Sequence, residues 1–168
     1  MIQLPIMPYL IDGHNLIPKV PGLSLRAIDD EMQLVLLLQE FCRRQRKKVE
    51  VYFDNGPPGQ PRLRKYGTVA VRFTRAGTTA DEAIARRLQR LGGAARNWTV
   101  VSSDLQVQSF ARQARARVLS SEAFARLLSD ALDEEPGEAE EGVEPKLSAE
   151  EIQRWLKIFG EDEGPENN

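Results

Sequence analysis

The sequence predicts an α/β domain in which a doubly wound parallel sheet is covered by helices on both faces, giving three layers. Strand-like apolar runs alternate with helical periods from residue 9 to residue 132, as expected for this class. Four of these runs are followed by an aspartate, either directly or several residues later. Because the carboxyl ends of parallel strands meet at one edge of a sheet, where such folds bind ligands, we expect the four acids to collect there.

Five apolar runs are the predicted strands. They cover residues 9–11, 49–54, 69–74, 99–101 and 117–119. Helical spacing of the apolar residues predicts helices at 27–46, at 80–91, directly after Asp104 and at 122–132. Residues 55–67 contain too many helix breakers for a full helix, and their basic side chains indicate an exposed loop.

Charge divides the chain into a basic body and an acidic tail. Residues 1–132 carry 20 Lys or Arg and 12 Asp or Glu, a net charge of +8, whereas residues 133–168 carry 3 and 13, a net charge of −10. A basic body suits a polyanionic partner such as nucleic acid. We predict a domain at 1–132, an acidic flexible linker at 133–147 and a terminal helix with its tail at 148–168. The acidic tail is either solvated or folded back over the basic face.

The terminal segment carries its own helix signals. Ser148-Ala149-Glu150-Glu151 is a capping box. An apolar stripe follows at helical spacing, formed by Ile152, Trp155, Leu156 and Phe159. We expect this amphipathic helix to dock on the body or on a partner through Trp155 and Phe159.

Several classes of function find no support in the sequence. No apolar run is long enough to cross a bilayer, and neither a Walker loop nor a GxGxxG motif is present. The only histidine, His14, joins no convincing catalytic triad. The single cysteine, Cys42, fits a core position and a reducing compartment, so we expect a soluble, cytoplasmic protein.

For three of the four acids, a structural interpretation explains the residue as well as the functional one does. Asp12, followed by Gly13, His14 and Asn15, either binds a ligand or forms an Asx turn after its strand. Asp54 before Asn55-Gly56 is also compatible with turn chemistry, and Asp104 with the N-cap of the helix that follows it. None of the three identifies a site on its own.

Asp81 is the more informative acid. Its helical phase places it on the same inward face as Ile84 and Leu88, where a charge is costly unless a cation or a buried donor pairs with it. Favourable interaction with the helix N-terminus is the structural alternative. Its neighbour Glu82 completes a capping box with Thr79, which explains Glu82 without a functional role.

The four acids together indicate a metal site. Hard carboxylate oxygens suit Mg²⁺ or Mn²⁺, usually with several waters retained. Such a site supports hydrolysis of a phosphodiester, because a bound cation lowers the pKa of a water and stabilises the charge that develops on the phosphate.

The same residues carry a family resemblance that spans about residues 9–130. Ile11-Asp12-Gly13-His14-Asn15, Phe53-Asp54, Thr79-Ala80-Asp81-Glu82 and Ser102-Ser103-Asp104 occur in the order found in NYN domains. They resemble in particular the YacP-like branch of the PIN-like nucleases. The resemblance implies a parallel sheet of strand order 3-2-1-4-5 and a Mg²⁺-dependent ribonuclease site. This branch often has Tyr where the chain has His14, and the linker and terminal helix lie outside the likeness.

Residue roles follow from the resemblance. It implies that Asp12, Asp81 and Asp104 bind the metal with Asp54 beside them, and that Asn15 supports Asp12. Thr79, Glu82 and Ser103 are secondary members of the site. Candidates for contact with the RNA backbone come from the basic segment and the third predicted strand: Arg62, Arg64, Lys65, Arg72 and Arg75.

The sequence therefore predicts an endoribonuclease that depends on Mg²⁺ or Mn²⁺ and acts on single-stranded RNA. The resemblance suggests mRNA or RNA in a ribosomal context as the substrate, and the ribosome as a partner. Two alternatives stay open. One is a non-catalytic RNA- or ribosome-binding module with the same fold, and the other is a metal-dependent phosphatase for a small phosphoester.

Overall fold

The computed structural model describes residues 7–23, 29–54, 62–75 and 77–133. The predicted acidic linker beyond Asp133 and the predicted terminal helix lie outside these residues, and so does the docking predicted for Trp155 and Phe159. The domain boundary at residue 132 therefore stays a prediction.

The described residues form a six-stranded sheet. Its strands are β1 (Tyr9–Asp12), β2 (Val49–Phe53), β3 (Leu63–Tyr66), β4 (Val69–Phe73), β5 (Thr99–Val101) and β6 (Arg117–Leu119). The spatial order is β3-β4-β2-β1-β5-β6, and all neighbours are parallel except β3 and β4. The five predicted strands lie in the predicted order, with one additional strand at the edge.

The prediction of an exposed basic loop at 55–67 is wrong for its second half. Leu63–Tyr66 is a strand that pairs antiparallel with β4, and the hairpin closes at Gly67, whose φ of +66° suits a tight turn. The backbone N–H of Phe73 also donates to the carbonyl of Arg62 at 2.7 Å. The sequence shows little apolar alternation here because an edge strand is held by backbone pairing more than by burial.

Five helices accompany the sheet within the described residues. They are α1 (Gly13–Leu16), α2 (Asp30–Gln45), α3 (Ala80–Leu91), α4 (Leu105–Gln113) and α5 (Ser121–Asp133). The predicted bounds of α3 are confirmed, while the predicted start of α2 at residue 27 falls among residues that are not described. The short α1 was not predicted, since the sequence there indicates only a loop.

The helices cover both faces of the sheet, which confirms the three-layer α/β class. On one face, Leu34 and Phe41 of α2 pack with Phe124 of α5. On the other face, Ile84 of α3 packs with Val107 of α4. None of the helices that the structure describes has the length and apolar character needed to span a bilayer.

Cys42 lies in the first of these cores, as predicted. Its side chain is buried, and this burial raises the pKa of the thiol to about 11. The thiol therefore stays protonated near neutral pH and behaves as a small apolar side chain.

Candidate active site

The four predicted acids lie at the carboxyl edge of the sheet. Asp12 ends β1, Asp54 follows β2, Asp81 lies in the first turn of α3 after β4, and Asp104 precedes α4 after β5. The parallel pairing of β1 with both β2 and β5 brings three of these strand ends side by side. Segments that are far apart in sequence thus converge on one place.

Asp12 is the central acid of this group. Its residue is only 9% exposed, and the charges of Asp54, Asp81 and Asp104 all act on it. Burial is the largest cause of a pKa raised to about 6, and the three carboxylates raise it further, while a hydrogen bond from Ser102 opposes them. The fold therefore concentrates negative charge around a carboxylate that has lost most of its water.

Ser102 links two of the acids. Its Oγ donates to Oδ2 of Asp12 at 3.0 Å and accepts from the backbone N–H of Asp104, also at 3.0 Å. The side chain is fully buried, and its carbonyl oxygen accepts from Nε2 of Gln108 at 2.8 Å. The sequence suggested no specific role for Ser102, because a serine after a strand is ordinary turn chemistry.

Gly13 allows the backbone after Asp12 to approach β2 closely. A Cβ at this position would contact the ring of Phe53, with Cδ1 at 2.6 Å, and would lie 2.9 Å from the carbonyl oxygen of Tyr52. A backbone carbonyl cannot move away as the end of a side chain can. Only glycine therefore permits this turn directly beside the site.

Asp54 has a structural role at the start of α3. Its Oδ1 accepts from the backbone N–H of Ala80 at 2.5 Å. Thr79 is the N-cap of the same helix, and its Oγ1 accepts from the backbone N–H of Glu82 at 3.2 Å. The Asp54 carboxylate thus fixes the first turn of α3, which carries Asp81, against the end of β2.

Asp81 and Glu82 differ as their helical phases predict. Asp81 is partly buried and lies close enough to Asp12 to raise its pKa. Glu82 is exposed and is not among the charges that act on Asp12. The structure therefore groups Asp81 with the other aspartates and leaves Glu82 on the helix surface.

Asp104 combines the two interpretations that its sequence position allowed. Its Oδ1 caps α4 by accepting from the backbone N–H of Gln106 at 2.8 Å. The residue is exposed, and its charge still contributes to the raised pKa of Asp12. Asp104 is therefore both the N-cap of α4 and one of the carboxylates at the rim of the site.

Asn15 connects three segments around the site. Its Oδ1 accepts from the backbone N–H of Ser103 at 2.8 Å and from Oγ of Ser121 at 2.6 Å. Asn15 thus ties the turn after β1 to the loop that carries Asp104, whereas the sequence suggested direct support of Asp12. The Oγ of Ser103 in turn donates to Oε1 of Glu122 at 2.5 Å.

His14 and Glu31 form a pair at the mouth of the site. Nε2 of His14 is hydrogen-bonded to Oε2 of Glu31, and Nδ1 lies 3.8 Å from Oδ2 of Asp54. The hydrogen bond to Glu31 is the main reason that the pKa of His14 is raised. Glu31 lies in the first turn of α2, distant in sequence, and no local motif pointed to it.

The donor chemistry of the edge fits a hard divalent cation. Carboxylates from three other segments surround the buried Asp12, and their negative charge adds to burial in raising its pKa. Within the described residues, no three His, Cys, Asp or Glu side chains are already arranged to enclose a metal ion. Mg²⁺ does not require such a cage, because it is commonly held by one or two carboxylates and retains several waters.

The predicted basic residues separate into two groups. Arg62, Arg72 and Arg75 line a cavity of about 290 Å³ beside the carboxylates, together with Arg86 and Arg90 of α3. Arg64 pairs with Val71 and therefore projects from the opposite face of the sheet, toward the α2 and α5 side. Lys65 is exposed. Arg86 and Arg90 were not predicted, since arginines on a helix are usually solvated.

The fold and this edge define the chain as a doubly wound α/β protein with an acidic site at the carboxyl end of its sheet. A family model for the YacP-like NYN domain matches residues 9–159. The chain therefore belongs to the YacP-like NYN domain family, a family of nuclease-type PIN-like domains. The match extends beyond residue 130 and includes the predicted acidic linker and much of the terminal segment, so the expectation that these parts lie outside the likeness is wrong.

Solved structures show the same fold. The chain is similar to the crystal structure of Rae1 (YacP) from Bacillus subtilis, with a TM-score of 0.63 and 23% identity over 95% of this chain and 84% of that one. The crystal structure of a tryptophan-to-leucine mutant of the same Rae1 gives a TM-score of 0.62 and 22% identity, over 95% and 87% of the two chains. No curated protein matches the chain.

Proposed function

We propose that the chain is a metal-dependent endoribonuclease that hydrolyses phosphodiester bonds of single-stranded RNA in the cytoplasm. Its substrates are mRNA or ribosome-associated RNA, and the ribosome is a candidate partner. The observation that carries this proposal is the position of Asp12, a buried carboxylate surrounded by Asp54, Asp81 and Asp104 in a nuclease-type domain.

Three acids are assigned to the cation. Asp12, Asp81 and Asp104 would hold Mg²⁺ or Mn²⁺, and Asp54 stands beside them while it accepts from the backbone N–H of Ala80 at the start of α3. The bound cation supplies an activated water and neutralises the charge that develops on the phosphate. The raised pKa of Asp12 supports this assignment, because a carboxylate in this setting gains most from a nearby positive charge.

The surrounding hydrogen bonds position these acids. Ser102 orients Asp12 and fixes the backbone at Asp104, and Asn15 holds the loop that contains Ser103. Thr79 caps the helix that presents Asp81, while Glu82 is a surface neighbour. Side chains locked in this way keep catalytic groups within the narrow geometric range that hydrolysis requires.

The charge of the body supports RNA as the substrate. Arginines line the cavity next to the acids, so a phosphodiester backbone approaching that side meets positive charge before it reaches the carboxylates. Lys65 adds positive charge on the hairpin that borders this region, whereas Arg64 projects from the opposite face of the sheet. The acids proposed for catalysis and the arginines that attract the RNA backbone thus lie next to each other.

The test is cleavage of a labelled single-stranded oligoribonucleotide by the wild type and by Asp81→Asn in the presence of Mn²⁺. We expect the variant to lose at least about a hundredfold in rate, since a displaced cation removes several kcal/mol of transition-state stabilisation. Asp130→Asn is the matched control, because this exposed aspartate lies on α5 away from the acidic edge. The control is expected to cleave at the wild-type rate.

Other outcomes separate the alternatives. Equal cleavage by the wild type and Asp81→Asn contradicts the proposed site. RNA that is bound equally well in EDTA and in Mn²⁺ but is never shortened indicates a binding module. A clear preference for mononucleotide over oligonucleotide substrates indicates a phosphatase.

A further inference from the structure

A basic cavity lies beside the acidic edge, between α3 and the hairpin of β3 and β4. Its volume is about 290 Å³, and five of its eleven lining residues are arginines. These are Arg62, Arg72, Arg75, Arg86 and Arg90. The α3 residues that line it extend from Ala83 to Arg90, about 10 Å at the rise of an α-helix.

Most of this positive charge is not neutralised. Within the part of the chain that the structure describes, the side chains of Arg62, Arg75, Arg86 and Arg90 have no ion pair or hydrogen bond. Several guanidinium groups around one cavity repel each other, and this repulsion is relieved when an anion binds. The cavity therefore favours a ligand with negative charge.

The buried acid beneath the cavity does not supply that charge. Both carboxylate oxygens of Glu50 accept from Arg87, at 2.9 Å to Nε and 2.7 Å to Nη2, and the hydroxyl of Tyr52 donates to Oε1 at 3.1 Å. Nε of Arg72 lies 3.7 Å from the same Oε1 and, although buried, has no hydrogen-bond partner. Glu50 is thus already occupied, and Arg72 keeps donor capacity.

The aromatic residues of the lining do not present a free ring. Tyr52 is buried and its hydroxyl donates to Glu50, while the ring of Phe73 packs against Phe53 and the core on the α2 and α5 side. Recognition of a ligand in this cavity therefore rests on the arginines, which are the side chains that contact the phosphates of a nucleic acid backbone.

The position of the cavity relates it directly to the acids. Tyr52, which lines it, is the register partner of Asp12, and Thr78 and Ala83, which also line it, flank the start of α3 where Asp81 lies. An RNA strand whose scissile phosphate meets the carboxylates therefore has a neighbouring nucleotide within reach of the arginines.

We propose that this cavity binds a nucleotide of single-stranded RNA next to the scissile phosphate, with Arg86 and Arg90 of α3 as its principal phosphate contacts. This inference rests on the proposed function and adds the path of the substrate: the strand leaves the acidic edge along α3 and the β3–β4 hairpin. Arg64 lies on the other face of the sheet and takes no part in this contact.

The test compares two double variants that lose the same charge. Arg86→Gln/Arg90→Gln alters the cavity, while Arg117→Gln/Arg126→Gln removes two exposed arginines from β6 and α5. The affinity of each protein for a fluorescein-labelled single-stranded oligoribonucleotide is measured by anisotropy in EDTA at several salt concentrations. Cleavage by the wild type in Mn²⁺ is measured in parallel.

We expect the cavity variant to bind at least about tenfold more weakly, and the slope of log K against log salt to fall in magnitude by about 1.4, while the control changes little. If the wild type binds and cleaves RNA but the cavity variant keeps the wild-type affinity and slope, the inference is wrong and the proposed function stands. If the wild type neither binds nor cleaves RNA, the proposed function itself fails.

Inorganic phosphate distinguishes a strand from a free anion. We expect unlabelled oligoribonucleotide to displace the probe, and inorganic phosphate at the same phosphate concentration to leave it bound. Displacement by phosphate alone would assign the cavity to a free phosphate and would overturn the inference.

Discussion

The hydroxyl of Ser102 donates to the carboxylate of Asp12 at 3.0 Å. Asp12 ends β1, Ser102 directly follows the neighbouring parallel strand β5, and both residues are buried. Because the same hydroxyl accepts from the backbone N–H of Asp104, one small side chain sets the spacing between two of the proposed cation ligands. The acidic edge is therefore a hydrogen-bonded structure and not merely an accumulation of charge.

Replacement of Ser102 by Ala tests this hydrogen bond. It removes the donor that lowers the pKa of Asp12, so that pKa should rise above its value of about 6, and it leaves the N–H of Asp104 without its partner. We expect a loss of about 1–3 kcal/mol in the free energy of unfolding. Carbon-13 NMR titration of the Asp12 carboxyl group and urea unfolding measure the two effects. Ser109→Ala, at an exposed position of α4, is the control and should change neither.

The pKa of Asp12 predicts how stability depends on pH without metal. A carboxyl whose pKa is raised from 3.8 to about 6 by folding disfavours the folded state once it ionises. The contribution of Asp12 to the free energy of unfolding should therefore be most favourable below about pH 4, and it should decline as the pH rises to about 6. Asp12→Asn removes this dependence and should stabilise the metal-free protein by on the order of 2 kcal/mol at pH 7.

Urea unfolding in EDTA at pH 4 and pH 7 measures this difference between the wild type and Asp12→Asn. If the free energy of unfolding depends on pH in the same way in both proteins, ionisation of Asp12 does not destabilise the fold. Addition of Mn²⁺ at pH 7 should raise the stability of the wild type and leave that of the variant nearly unchanged.

Gly13→Ala tests the close approach of α1 to β2. The added Cβ would meet the Phe53 ring and lie 2.9 Å from the carbonyl oxygen of Tyr52, so the backbone must shift. We expect the free energy of unfolding to fall by about 1–3 kcal/mol. Gly93→Ala is the matched control, because a Cβ at Gly93 has no atom within 4 Å. An equal thermal midpoint for the two variants would contradict the steric account.

Glu50→Gln tests the buried ion pair beneath the cavity. The change leaves the Arg87 guanidinium without its anionic partner, and we expect a loss of about 2 kcal/mol in the free energy of unfolding at pH 7. Burial raises the pKa of Glu50, but Arg87, with smaller effects from Arg72 and Tyr52, outweighs burial and lowers it. The contribution of the ion pair is therefore present above the ordinary glutamate pKa of 4.5 and is lost as the pH falls through the lower folded value. Glu82→Gln on the exposed surface is the control.

The difference between the wild type and Glu50→Gln should therefore shrink when unfolding is measured below pH 4. A difference that is constant from pH 3 to pH 7 would show that the ion pair does not stabilise the fold.

Much of the fold could be predicted from the sequence because buried parallel strands read as short apolar runs. Val49–Phe53, for example, is buried at every position. The helix Ala80–Leu91 was equally clear, since Thr79 caps it and Ile84 and Leu88 repeat at the spacing of a buried face. The strand Leu63–Tyr66 was missed because it alternates between exposed and half-buried side chains and depends on pairing with β4.

The acids of the site could be predicted, but their connections could not. Each aspartate follows a recognisable strand or precedes a helix, which places it at the edge of the sheet. Ser102 contacts Asp12 across 90 positions of sequence, and the His14 and Glu31 pair joins two separate helices. Such contacts depend on tertiary geometry, so no local pattern indicates them.

The arginine cavity illustrates the same limit. Arg86 and Arg90 lie on exposed positions of α3, and their spacing along the helix is that of any solvated face. They line one cavity with Arg62, Arg72 and Arg75 only because the β3–β4 edge lies close to α3. Because β3 was not predicted, the cavity could not be predicted either.

In the proposed site, Asp12, Asp81 and Asp104 would hold a cation, and the cation would activate water for attack on an RNA phosphate. Cleavage of an end-labelled oligoribonucleotide is compared in Mn²⁺ and in EDTA, and the ends of the products are analysed. We expect cleavage only with Mn²⁺, and products that end in a phosphomonoester and a hydroxyl. Cleavage that persists in EDTA, or products with a 2′,3′-cyclic phosphate from attack by the ribose hydroxyl, would show that a metal-activated water is not the nucleophile.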